Sequence, residues 1–121
     1  MKILIADDSK AMRMIVIRTL RQAGFAGHDI VEAENGRQAL ELAQQIGPDL
    51  ILSDWNMPEM TGIELLRGLR SIGSTIPFCF VTSEGSDEMR EMAAQAGALG
   101  LIAKPFTAEA FEDLLASVVS A

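Results

Sequence analysis

The chain has a single cysteine, Cys79, and a single histidine, His28, in 121 residues. One cysteine cannot close an intrachain disulfide, so a reducing, cytoplasmic setting is expected. Cys79 lies inside the apolar run Phe78 to Val81 and reads as a small buried hydrophobe, while His28 reads as a solvated loop residue. Such scarcity of His and Cys argues against zinc. Basic residues are also short: 10 Lys and Arg face 17 Asp and Glu, for a net charge of −7, with no basic cluster. That argues against a nucleic-acid-binding surface. No apolar run approaches a membrane span, and no long apolar segment with a cleavage site opens the chain, so neither a membrane anchor nor a signal peptide is expected. There is no G-x-G-x-x-G and no P-loop, which speaks against a nucleotide or flavin binder. Repeats, low-complexity tracts and linkers are lacking too. What remains, 49% hydrophobic and 22% charged, describes an ordinary globular protein of one domain over residues 1–121. The last helical segment ends near Ala121, leaving no expected room for an attached output domain.

The central feature is Leu50-Ile51-Leu52-Ser53, a short apolar run between the breakers Pro48 and Pro58. It predicts a strand covered on both faces that delivers Asp54 to its carboxyl end. Four further runs have strand character: Ile3 to Ala6, Asp29 to Ala33, Phe78 to Val81 and Leu99 to Ala103. Helical periodicity fills the intervals. Met12, Ile15, Val16, Leu20 and Ala23 recur at three- and four-residue steps, with Arg13, Arg18, Arg21 and Gln22 largely between them, and Gly24 closes the segment. Asn35-Gly36 reads as a turn into a helix from Arg37 to Gln45, ended by Gly47-Pro48. Thr61 and Glu64 have capping-box spacing before Ile63, Leu65, Leu66 and Leu69. Ser86 and Thr107 can cap the last two helices. Five strands alternating with five helices predict an α/β fold, a doubly wound parallel sheet with right-handed crossovers and helices on both faces.

In such a sheet the carboxyl ends of the strands share one edge, where ligands bind. Asp7 and Asp8 follow the first strand, Asp54 the third, Thr82 ends the fourth and Lys104 follows the fifth. Two unit charges ~4 Å apart cost about 4 kcal/mol even at an effective dielectric near 20. One lysine cannot offset three carboxylates, whereas a hard divalent cation with oxygen ligands can, which points to Mg²⁺. The chemistry that fits is phosphoryl transfer to a carboxylate. Asp54 is the nucleophile, the metal neutralises charge on the transferring group, Lys104 is a fixed positive partner, and the Thr82 hydroxyl donates to a phosphoryl oxygen.

With Asp7-Asp8, the run Asp54-Trp55-Asn56-Met57-Pro58, Thr82 and Lys104-Pro105 in these places, the chain resembles a response-regulator receiver domain from end to end, of the stand-alone chemotaxis type. The resemblance implies a flavodoxin-like five-stranded sheet in the order 2-1-3-4-5. It implies that Asp54 accepts a phosphoryl group from a histidine kinase, and that Mg²⁺ is bound by Asp8, Asp54 and the backbone carbonyl of Asn56, with Asp7 holding it mainly through water. Thr82 and Lys104 would meet the phosphoryl oxygens, and the Lys104-Pro105 bond would be cis. Asn56 and Glu84 would tune access of water to the acyl phosphate. The output surface would be the fourth helix, fifth strand and fifth helix, the target a protein such as a flagellar motor switch protein, and the chain a monomer. One departure is Leu101, where the family usually has an aromatic that turns inward on activation. Leucine has no ring or hydroxyl to follow Thr82, so coupling is expected to run through the loop before the fourth helix.

Taken singly, these residues have blander readings. Asp7-Asp8-Ser9 could be a helix cap, Asp54 a turn residue, and Trp55 a residue packed near the surface. Their convergence outweighs those readings. A Mg²⁺-dependent aspartyl-phosphate phosphatase of the haloacid dehalogenase type would place two Asp one residue apart after the first strand, which adjacent Asp7 and Asp8 do not. A pseudo-receiver scaffold that is never phosphorylated is kept open by Leu101 alone.

Overall fold

The computed structural model describes residues 1–25, 27–103 and 106–119. Strands β1 (Lys2–Ala6), β2 (Asp29–Ala33), β3 (Leu50–Ser53), β4 (Phe78–Thr82) and β5 (Gly100–Ala103) alternate with helices α1 (Lys10–Gln22), α2 (Gly36–Ile46), α3 (Gly62–Ser71), α4 (Asp87–Gln95) and α5 (Ala108–Val119). The strands form one sheet in the order β2-β1-β3-β4-β5, and each neighbouring pair is parallel. This is the expected doubly wound, flavodoxin-like α/β fold.

The period-2 alternation of strands sorts the apolar residues into two layers. Leu4, Ala6, Ile51, Phe78, Phe80 and Leu101 face one side and pack with Ala39 and Ala43 of α2, Leu65, Leu66 and Leu69 of α3, and Ala93 of α4. Ile3, Ile5, Leu50, Leu52, Cys79, Val81 and Ile102 face the other and pack with Val16, Ile17 and Leu20 of α1 and Phe111 and Leu115 of α5. β3 and β4 are buried along their whole length, as short apolar runs covered on both faces must be. Cys79 is fully buried, as expected of it.

Side chains that satisfy free N–H groups set the helix starts. Ser9 accepts from Met12 N at 3.3 Å, Ser86 from Met89 N at 3.1 Å and Thr107 from Ala110 N at 3.1 Å. The Thr61–Glu64 capping box forms in both directions. Asn35-Gly36 differs from expectation. It is a helix start and not a turn, because extended Asn35 caps α2 by accepting from Gln38 N at 2.7 Å. Gly47 ends that helix with φ 56°, where a side chain would be strained.

Three further readings are corrected. Ile15 is exposed, and the stripe of α1 that meets the sheet runs Arg13, Val16, Ile17 and Leu20. Arg13 is therefore buried and not on the polar face, because its step to Val16 and Ile17 places it in line with them. His28 lies in a loop as expected but is half-buried, with Nδ1 2.7 Å from the Met1 amine and its ring 5.4 Å from that of Phe25. Among the described residues no helix is long and apolar enough to cross a membrane.

Candidate functional site

The connections from β1 and β3 leave in opposite directions, one toward β2 and the other toward β4. Their carboxyl ends therefore part to form a crevice. In register, Ala6 of β1 pairs with Ser53 of β3, so the next residue of each strand, Asp7 and Asp54, must emerge side by side. Asp54 N donates to Ala6 O at 2.8 Å, and Asp7 N donates to Ala33 O at 3.0 Å, which extends the ladders to the crevice itself. Asp8 completes the group: Asp7, Asp8 and Asp54 each offer a carboxylate oxygen, all within 4.8 Å of one another.

Burial differs across the three. Asp7 is buried at 4% exposure, Asp54 is half-buried and Asp8 is exposed. Desolvation is the main reason the Asp7 carboxyl is pushed up to about 6; the Ser9 backbone N–H opposes it, and the charges of Asp54 and Asp8 reinforce it. Ser9 N donates to Asp7 Oδ1 at 2.8 Å. Burial also raises the Asp54 carboxyl, opposed by the Trp55 backbone, while Asp8 raises it further and the Asn56 backbone and Thr82 hydroxyl act to lower it. Trp55 N donates to Asp54 Oδ1 at 2.7 Å. Crowded carboxylates with raised pKa values are groups short of positive charge. An all-oxygen donor set at this spacing fits a hard divalent ion such as Mg²⁺ and suits zinc poorly.

The sheet brings Thr82 to the same crevice. It ends β4, is buried at 1% exposure, and its Oγ1 accepts from Glu84 N at 3.3 Å. The hydroxyl thus stands between Asp54 and the exposed β4–α4 loop. Asn56 lies two residues past Asp54, exposed at the start of the β3–α3 connection. Lys104 and the Lys104-Pro105 bond, expected to be cis, lie outside the described residues. Leu101 is buried with the α2–α4 layer. Its carbonyl accepts from Arg90 Nη1 at 3.0 Å.

Two features near the crevice escape a reading of residue types. Gly62 opens α3 against the acceptor strand: a Cβ there would collide with the Asp54 carbonyl oxygen and lie 2.9 Å from Phe80 Cε1. Nothing in the sequence around Gly62 announces that approach. Arg13 is the second. Its Nη1 donates to Asp7 O at 2.7 Å and its Nε to Glu32 Oε1 at 2.9 Å; its helical phase was the available signal. Trp55 packs on Phe80, ring centroids 4.6 Å apart, and so reports on the crevice wall.

The acidic crevice thus lies at the switch point of the sheet, with a hydroxyl from the next strand beside it. The response regulator receiver domain family matches residues 3–116, and the chain belongs to that family. More particularly, it is CheY-like. It is 40% identical over 120 residues to the chemotaxis protein CheY of Pseudomonas aeruginosa, covering 98% of this chain and 95% of that one. It is 42% identical over 117 residues to CheY-3 of Vibrio cholerae, covering 95% and 88%. The solved structure of V. cholerae chemotaxis protein CheY4 matches with a TM-score of 0.83 at 37% identity, over 97% of each chain.

Proposed function

We propose that this chain is a single-domain phosphorylation switch in which Asp54 takes a phosphoryl group from a histidine kinase. One observation carries the reading: the three carboxylates converge within 4.8 Å at the ends of β1 and β3. Asp8, Asp54 and the Asn56 carbonyl would hold Mg²⁺, with Asp7 acting mainly through water. The ion supplies charge neutralisation for an incoming phosphoryl group.

The chain's own residues do the rest. Asp54 presents a carboxylate whose orientation is fixed by the Trp55 N–H. Its free oxygen attacks phosphorus as the bond to the kinase imidazole breaks, and the imidazole leaves with that electron pair. The Thr82 hydroxyl would donate to a phosphoryl oxygen, and Lys104 would pair with another. Thr82 Oγ1 also accepts from Glu84 N, so a shift of the hydroxyl toward the phosphoryl group would pull on the β4–α4 loop. Gly85 in that loop sits over β5: a Cβ there would come within 2.8 Å of Ala103 Cβ and 3.3 Å of Leu101 Cδ2. The loop can therefore carry the change to the face of α4, β5 and α5 without a rotating aromatic. A groove on that face, between Arg90, Leu99, Leu114 and Asp113, would receive the target. The relatives' chemotaxis role suggests a flagellar motor switch protein. Asn56 and exposed Glu84 flank the path of water to the acyl phosphate, so the switch resets itself. We place the protein in the cytoplasm, as a monomer.

Titration of Trp55 fluorescence with Mg²⁺, then with beryllofluoride, tests this together with intact-mass measurement after an acyl-phosphate donor. A response at each step and one added phosphate are expected. Asp54→Asn should abolish the beryllofluoride response and the added mass; their persistence removes Asp54 from the role.

A further inference from the structure

Arg13 is a cation where a cation is costly. Its side chain is 8% exposed, on the face of α1 that packs against the sheet. A buried guanidinium persists only when its donors are used. Here Nε meets the carboxylate of Glu32 at 2.9 Å, and Nη1 meets the main-chain oxygen of Asp7 at 2.7 Å. Glu32 pairs in register with Ile5, so the side chain spans from α1 to β2 across the end of β1.

The choice of partner is informative. Arg13 does not bond the crowded carboxylates it stands near; the Asp7 carboxylate takes its hydrogen bond from Ser9 N instead. Asp7 is consequently held at three points: its N–H by Ala33 O, its carbonyl by Arg13 and its side chain by Ser9. We propose that Arg13, braced by Glu32, is a positioning residue that locks the peptide at Asp7 so that the acidic crevice is set for a divalent cation before the cation arrives. The inference rests on the metal-binding reading above and concerns only how the site is held.

Charge and positioning predict opposite signs. If Arg13 acted only as a nearby positive charge, removing it would tighten binding of a dication. If it positions, removing it weakens binding, and partners behind metal ligands typically carry about 10–100-fold of affinity. Mg²⁺ affinity, measured by calorimetry and Trp55 fluorescence, is compared for the wild type and for Arg13→Met, Arg13→Lys and Glu32→Gln, with thermal melts in EDTA. Arg13→Met should weaken Mg²⁺ by about ten-fold or more. Arg13→Lys keeps the charge but not the fork that reaches both partners, so it should recover only part of the loss. Glu32→Gln should weaken binding several-fold. Equal or tighter binding by folded Arg13→Met, or a lower melting temperature with unchanged affinity, overturns the proposal. If Arg13→Met does not fold, unchanged affinity in Glu32→Gln does the same. Absence of saturable Mg²⁺ binding by the wild type would instead sink the metal reading itself, so the two failures are told apart.

Discussion

Replacing Asp7 with asparagine should make the metal-free protein more stable at neutral pH, although it damages the metal site. The folded-state carboxyl titrates at about 6, against an ordinary value of 3.8. Between those values the folded chain binds more protons than the unfolded one, so stability falls as pH rises. The favourable contribution is complete below about pH 3.8 and lost as pH passes through about 6. About two pH units at ~1.4 kcal/mol each set a ceiling of roughly 3 kcal/mol. Relaxation and water at the crevice reduce this to on the order of 1–2 kcal/mol. Asparagine is the right probe because its side-chain oxygen can still accept from Ser9 N, as Asp7 Oδ1 does at 2.8 Å. Urea denaturation in EDTA, followed by Trp55 fluorescence and far-UV circular dichroism from pH 4 to 7.5, measures the difference between the two proteins. It should be near zero at pH 4 and reach about 1–2 kcal/mol in favour of Asp7→Asn at pH 7.5. Magnesium should reverse the order, since a ligand at 100 times its Kd adds about 2.7 kcal/mol to the protein that binds it. A variant less stable than the wild type at pH 7.5 without metal, or a difference that ignores pH, would refute the desolvation argument.

Two more predictions test the frame around the site. Gly62→Ala should destabilise by about 3 kcal/mol, the upper end of overpacking, because the Cβ meets the Asp54 carbonyl and backbone cannot move aside cheaply; Gly68→Ala in the same helix finds its nearest atom 3.9 Å away and should stabilise by about 0.5–1 kcal/mol. Denaturation midpoints that move together in these two variants would contradict the close approach at Gly62. With beryllofluoride, a crystal structure should show residues 84–87 displaced from their positions in the free protein; an unmoved loop rules out coupling through Thr82 and Glu84.

The architecture is readable because each strand is a short run ending in a breaker or a polar residue, and most helices open on a recognisable cap. Thr61, Ser86 and Thr107 cap the helices where their residue types indicate. The grouping of Asp7, Asp8 and Asp54 followed once the strands were parallel, because parallel register aligns their ends. Arg13 is polar by type but buried by helical phase, in line with Val16, Ile17 and Leu20. The burial of His28 has a different origin: its partner is the Met1 amine, 27 positions away, and no local pattern encodes such a meeting. The Gly62 contact is likewise a long-range consequence of how α3 leaves the crevice.

The sheet separates two apolar layers, one under α1 and α5 and the other under α2, α3 and α4. Copies of such a gene can therefore diverge unevenly. Substitutions beneath one set of helices need compensation only among neighbours on that side, so a lineage can repack one layer while the opposite layer keeps its ancestral packing.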